Sequence, residues 1–213
     1  MAEGLRELKK RRTRAHIAET ATALFVARGF EQVTMAEIAA AAEVSVNTLY
    51  NYFEAKEDLV LPPDEASADR LAAIVRERAP GETAAAAVLR RLREELRRRE
   101  RALGLTEGFG RFLEMVRSAP TLTARLENLA GQMEEALAAL LREETGAPPD
   151  DPLPALVAGQ IGWLHARVLG EIGARTRAGQ EPGAIAEAVL ELLDVIEGLL
   201  GERVLAYAPR EAR

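Results

Sequence analysis

The stretch from Thr34 to Phe53 constrains the chain more than any other, because two helix starts lie so close together there that only a short turn fits between them. Thr34 precedes Met35-Ala36-Glu37, a T-x-x-E pattern in which the threonine hydroxyl caps free backbone amides and the glutamate reaches back to close the box. The helix it opens runs to about Ala41. A turn through Glu43 and Val44 follows, and Ser45 then caps a further helix carrying Val46, Leu49, Tyr50 and Phe53. Upstream, Ile17, Ala21, Leu24 and Phe25 recur at helical spacing between Thr13 and Arg28, and Gly29 stands where a C-terminal cap belongs. Helix, short helix, turn and helix together have the length of a helix-turn-helix head.

Composition extends that helical reading to the whole chain. Apolar residues make up 48%, charged residues 29% and aromatics only 4% of 213 residues, a mixture rich in Ala, Leu, Glu and Arg that helices favour. An all-α protein is expected, long enough to bury a core as one large domain or as a small domain joined to a medium one. Cysteine is absent, which removes disulfides, thiolate nucleophiles and thiolate metal sites together. Lys9, Lys10, Arg11 and Arg12 are followed by no apolar signal core, and no run reaches the roughly 18 apolar residues of a membrane span, so a cytoplasmic protein with no membrane partner is expected.

Charge is unevenly spread. The net charge of −6 argues against indiscriminate coating of nucleic acid, which requires a strongly basic surface. Residues 1–14 hold six basic side chains against Glu3 and Glu7, a local +4, so the remainder carries −10. Any electrostatic footprint on DNA is therefore local. Arg11, Arg12 and Arg14 are the candidates for an arm that lies along phosphates or enters a minor groove, against the plainer reading of a solvated terminus.

Beyond residue 54 the pattern is a series of longer helices. Lys56-Glu57-Asp58-Leu59 opens one that Pro62-Pro63 breaks or kinks. Further helices are expected over 64–79, 82–102, 105–117, from Pro120 and Thr121 to Gly146, 152–178 and 183–200, with Asp151-Pro152 as a cap and first-position pair. The helix at 152–178 carries a stripe of small residues at steps of four, among them Ala158, Gly162, Ala166 and Gly170, which permits close helix approach. The last long helix presents a broad apolar face including Leu192, Ile196 and Leu199. These seven positions are the expected dimer interface, because the two helices offer more apolar surface than one subunit obviously covers. A monomeric core is the alternative.

The run Thr34-Met35-Ala36-Glu37-Ile38-Ala39-Ala40-Ala41-Ala42-Glu43-Val44-Ser45-Val46-Asn47-Thr48-Leu49-Tyr50-Asn51-Tyr52-Phe53, with Lys56-Glu57-Asp58-Leu59 after it, resembles the amino-terminal signature of the TetR family of bacterial transcriptional regulators. Leu24-Phe25 and Gly29-Phe30 also stand where that family ends its first helix. The resemblance covers residues 12–60. It implies phosphate contacts from Thr34, Tyr50, Tyr52 and Lys56, and base reading from the helix that carries Val46, Asn47, Thr48 and Asn51. The chemistry agrees: a hydroxyl, phenols and an ammonium suit phosphates, while either asparagine amide can pair with adenine N6 and N7, and Val46 or Thr48 can pack on a thymine methyl. Two departures stand out. Glu43 occupies a turn position where the family usually has glycine, and Ala55 replaces a capping Ser or Thr.

The resemblance further implies a ligand cavity in the carboxy-terminal part. Phe109, Phe112, Met115, Met133 and Trp163 are candidate lining, with Arg111 and His165 as polar groups, against the reading that they simply fill the core. His16 and His165 are the only histidines and stand far apart, so neither a metal site nor a cofactor is expected. No phosphate loop, nucleophile elbow or paired catalytic carboxylates occur, which tells against an enzyme. The expected organisation is a helix-turn-helix DNA-binding domain at 1–60, a helical ligand-binding and dimerisation domain at 61–204, and a tail at 205–213. The expected activity is that of a homodimeric, ligand-responsive repressor of a pseudo-palindromic double-stranded DNA operator. An architectural or nucleoid-associated DNA-binding protein with the same head and no inducer is the alternative.

Overall fold

Helix-forming composition and strong local punctuation produce a chain with no strand among the described residues. The computed structural model describes residues 4–60, 67–100, 103–105 and 109–210. The helices are α1 (Leu5–Arg28), α2 (Met35–Ala41), α3 (Val46–Tyr50), α4 (Arg70–Arg76), α5 (Ala84–Arg98), α6 (Phe109–Ser118), α7 (Pro120–Thr145), α8 (Leu153–Arg177), α9 (Pro182–Leu199) and α10 (Glu202–Leu205), with one 3-10 turn at Lys56–Leu59. The chain separates into two compact units, Met1–Ala66 with Arg111–Arg125, and Ser67–Gly110 with Leu126–Arg213.

Several helix limits differ from those the sequence suggests, each for a local reason. The first helix begins at Leu5 and not near Thr13, so the basic run at 9–14 is helical rather than an extended arm. Lys and Arg are good helix formers, and like charge alone does not unwind them once the downstream turns are anchored. The helix expected to open at Lys56 is a single 3-10 turn. The expected break at Pro62-Pro63 lies outside the described residues. Downstream, among the described residues of the expected segment 64–79 the helix covers Arg70–Arg76, whereas the long helices at 120–145, 153–177 and 182–199 fall within a residue or two of expectation. The cap of α8 is Pro152 and not the expected Asp151, which stands one residue before it and accepts at Oδ1 from the Leu153 N–H at 2.9 Å.

The core of the first unit is drawn from α1 (Ile17, Ala21, Phe25), α2 (Ile38, Ala39), α3 (Leu49) and the residues after it (Phe53, Leu59). Met115, Val116, Ala119 and Leu122 complete it from α6 and the start of α7. In the second unit, α8 packs on α9, and α5 packs on α4, α9 and α10 around Leu89, Leu92, Leu96, Ile161, Leu164, Val168, Val189 and Leu193. Arg93 fastens α5 to α9 by pairing with Asp194 and Glu197 at 2.7 and 2.6 Å.

The described residues after α10 are tied back into the second unit. Arg78, only 2% exposed, donates to the carbonyls of Val75, Glu82 and Ala208 and to the Glu144 carboxylate. Backbone bonds from Gly81 to Arg210, from Arg210 to Glu82 and from Ala84 to Tyr207 hold the last described residues along the loop before α5. A guanidinium with most of its donors satisfied is what makes so deep a burial tolerable.

Candidate nucleic-acid interface

The first unit presents a rigid frame with one polar face. Its capping box is complete: the Glu37 N–H donates to Thr34 Oγ1 at 3.2 Å and the Thr34 N–H donates to Glu37 Oε2 at 2.8 Å. Arg28 reinforces the box from the end of α1, its Nη2 lying 2.7 Å from Glu37 Oε1. The backbone amide of Thr34 first, and then Arg28, hold the Glu37 carboxyl down at about 2. The Thr34 hydroxyl itself donates to Glu37 Oε2 at 2.8 Å, so its single proton is spent inside the cap.

The turn between α2 and α3 is a Schellman motif built without glycine. The Val44 N–H reaches the Ala39 carbonyl at 2.9 Å and the Glu43 N–H reaches that of Ala40 at 3.2 Å, with Glu43 at φ 56°. A positive φ at a residue with a Cβ is strained by about 1 kcal/mol.

Ser45 caps α3 by accepting from the Thr48 N–H at 3.0 Å, and the two hydroxyls lie 2.7 Å apart. Leu49 is the buried anchor of this helix. Asn47 and Asn51 are exposed, Val46 is 39% exposed and Tyr50 is 50% exposed, so these side chains lie on the open side of α3. Thr48 is half-buried and its hydroxyl is engaged with Ser45. Tyr52 packs partly against the core, while its carbonyl accepts from Arg14 Nη1 at 3.4 Å and the Arg14 guanidinium stands 4.8 Å above the Phe53 ring. Arg14 is thus bound into the head, and Arg11 and Arg12 are exposed one turn or less before it on α1.

Lys56 lies at the start of the 3-10 turn with its ammonium 4.3 Å from the centre of the Phe30 ring and 6.0 Å from that of Phe25. The aromatic pair, 4.9 Å apart, restrains a long flexible side chain that would otherwise lose more entropy on meeting a phosphate. The missing Ser or Thr at Ala55 is compensated from the other side of the cap. Asp58 Oδ2 accepts from the Ala55 N–H at 3.0 Å, and its other oxygen pairs with Arg125 of α7. Arg28 and Arg125 are the contributors that sequence reasoning missed. Arg28 lies a helix turn from a recognisable cap, but Arg125 is 67 residues from its partner and carries no local signal.

The other expected site residues fall in different places. Met115 is buried in the first unit's core with Phe112 packed against it, and Arg111 of the same unit is exposed. Met133 and His165 are buried in the second unit, Trp163 is 48% exposed, and the half-buried Phe109 ring lies directly against Gly104. Of the seven, Arg111, Phe112 and Met115 thus belong to the first unit and Phe109, Met133, Trp163 and His165 to the second. Of the expected dimer residues, Ala158 and Ile196 are buried within their own unit and Gly162 lies under Glu134 of α7. Ala166, Gly170 and Leu199 are exposed, and Leu192 is half-buried. Leu156, Trp163 and Val195 extend the exposed apolar surface on α8 and α9.

Comparison with known proteins bears on both units. The family model described as "Bacterial regulatory proteins, tetR family" matches residues 17–61. The HTH-type transcriptional regulator TcmR of Streptomyces glaucescens is 33% identical over 156 residues, covering 70% of this chain and 67% of that protein. NalD of Pseudomonas aeruginosa, the secondary repressor of the MexAB-OprM multidrug efflux pump, superposes with a TM-score of 0.54 at 18% identity, covering 88% of this chain and 96% of that one. FadR of Bacillus subtilis, a transcriptional regulator solved with stearoyl-CoA, superposes with a TM-score of 0.50 at 20% identity over 84% of this chain and 96% of its own. At such identities the two solved structures speak for the fold.

Proposed function

The chain belongs to the tetR family of bacterial regulatory proteins, and from that premise we propose that it is a ligand-responsive repressor that binds a pseudo-palindromic operator as a homodimer. One observation carries the DNA half of this reading. A capped frame, buried on its inner side, leaves Val46, Asn47, Tyr50 and Asn51 on one exposed side of α3. A short helix presented in that way reads the edges of bases in a major groove.

The roles divide by chemistry. Asn47 and Asn51 supply paired donor and acceptor groups for adenine, with Val46 beside them for a thymine methyl. Thr48 contributes through its methyl, since its hydroxyl is held by Ser45. Tyr50, Tyr52 and Lys56 clamp phosphates, and Lys56 does so from a position fixed by Phe30. Thr34 acts through the cap and the backbone amides it organises, because its hydroxyl proton is committed to Glu37. Arg11 and Arg12 add charge along α1, which suits phosphates beside the main contact.

Homodimerisation follows from the exposed apolar side chains of α8 and α9, where Leu199 is 73% and Leu156 62% exposed. Two-fold symmetry then requires two half-sites separated by about 34 Å or a multiple of it. The acyl-CoA complex of FadR and the repressor role of NalD support ligand response and repression here. A ligand that binds better to the DNA-incompetent arrangement than to the competent one releases the operator.

Selection of random duplex DNA by the purified protein tests this reading directly. Enrichment of an inverted repeat with A·T pairs in each half is the expected outcome. Recovery of DNA without any repeated sequence overturns it.

A further inference from the structure

The second unit contains a buried polar group that the fold leaves unmet. His165 of α8 is 7% exposed, and its Nε2 has no hydrogen-bond partner. The carboxylate of Glu95 on α5, 1% exposed, is by contrast fully engaged: Oε2 accepts from Arg70 of α4 at 2.7 Å and Oε1 from Arg91 at 2.8 Å. Arg70 and Glu95 are the charged groups acting on His165, the first depressing and the second raising its proton affinity, while burial outweighs both. The ring is therefore neutral near pH 7, offering one N–H donor and one acceptor lone pair.

The walls around it supply neither counterpart. Ile161, Leu164 and Val168 share α8 with His165, Leu92 and Leu96 lie beside Glu95 on α5, and all five are buried aliphatic members of the second unit's core, while no partner meets His165 Nε2. The charged neighbours narrow what is welcome. An anion meets Glu95 and finds Arg70 already paired, and a cation meets the Arg70 guanidinium. A neutral group that both donates and accepts fits an imidazole whichever nitrogen carries the proton.

We propose that His165 is the polar anchor of the effector site in the second unit, and that its ligand is an uncharged, mainly apolar small molecule bearing a hydroxyl group. This rests on the reading of the chain as a ligand-responsive regulator and names the class of ligand.

The test compares 4-propylphenol, 4-propylanisole and 4-propylbenzoate by calorimetry on the full-length protein without DNA. The phenol is expected to bind about tenfold more tightly than its ether, the effect of one net buried hydrogen bond. His165→Leu, which removes an unmet polar group and so keeps the fold as judged by its melting temperature, is expected to reduce that preference to less than about twofold while still binding the ether. His165→Gln, which restores a donor and an acceptor, is expected to recover part of it. Equal binding of phenol and ether, an unchanged preference in His165→Leu, tightest binding of the benzoate, or binding of none of the three overturns the proposal. Operator selection on the same preparation separates the two readings: an enriched palindrome without phenol discrimination sinks only the ligand class, and the reverse result sinks the repressor.

Discussion

At Glu43 the backbone turns through a left-handed residue that carries a side chain, and the exposed carboxylate makes no bond that repays it. Glu43→Gly is therefore expected to raise the stability of the protein by about 1 kcal/mol, seen as a higher urea midpoint with unchanged slope. No change in operator affinity is expected. The reading and clamping residues separate by a different measurement. Asn47→Ala is expected to weaken the selected operator by about 1–3 kcal/mol and relax preference at one base pair, whereas Lys56→Ala should weaken all sequences alike and reduce the salt slope by about 1. The same base-specific signature in both variants contradicts the division of roles. His165 adds a pH signature. Its proton affinity is depressed in the fold, from 6.5 to about 4, chiefly by burial, so the unfolded chain binds the proton first as pH falls. The stability it confers is full above 6.5, declines between 6.5 and 4 by about 3 kcal/mol in all, and changes no further below. Urea titrations at pH 7 and pH 5 should show a drop in wild type that is largely absent from His165→Leu. The Glu37 carboxyl, held at about 2, loses its contribution only below 4.5 and so falls outside that window.

At the scale of elements, what was legible in the sequence was whatever is decided within four or five residues. Thr34 with Glu37, Ser45 with Thr48 and Gly29 at the end of α1 are caps whose donors and acceptors are close in sequence, and each forms as its residue type requires. Contacts made over long separations left no such trace. Charge at 9–14 reads as an arm or a solvated terminus, and the helix extends through it from turns anchored by Ile17, Ala21 and Phe25. The apolar spacing of Phe112 and Met115 shows that they are buried but not against what, so their place in the head's core was not readable. The pairing of Arg125 with Asp58 belongs to the same class. Arg125→Ala leaves a buried carboxylate with only the Ala55 amide, and a loss of about 1–2 kcal/mol is expected in thermal unfolding. Arg125→Lys should recover part of it. A loss below a few tenths of a kcal/mol would mean that the pair is merely a surface contact.

For the whole molecule, the two binding tasks meet in the requirement for a second copy. A single head offers a few short side chains to the groove, and its electrostatic footprint is local in a chain of net charge −6. That supports little beyond non-specific affinity, of order 10⁻⁴ to 10⁻⁶ M at physiological salt. Specific operators are held at about 10⁻⁸ M or tighter, and doubling the head through a symmetric interface is how such a short reading surface reaches that range. Val195 and Leu199 lie on the exposed side of α9, 58% and 73% accessible, so glutamates there remove apolar surface without opening a core. The double variant Val195→Glu and Leu199→Glu is expected to unfold within about 0.5 kcal/mol of a wild-type subunit, since neither position is packed. It should elute as a monomer in light-scattering chromatography at micromolar concentration. On the selected palindrome its affinity should fall to that for an isolated half-site, and the two duplexes should become nearly indistinguishable to it, whereas the wild-type protein prefers the full site strongly. A monomeric variant that keeps the full-site preference would place the specificity in one head alone, and a variant that remains dimeric would move the interface off α9.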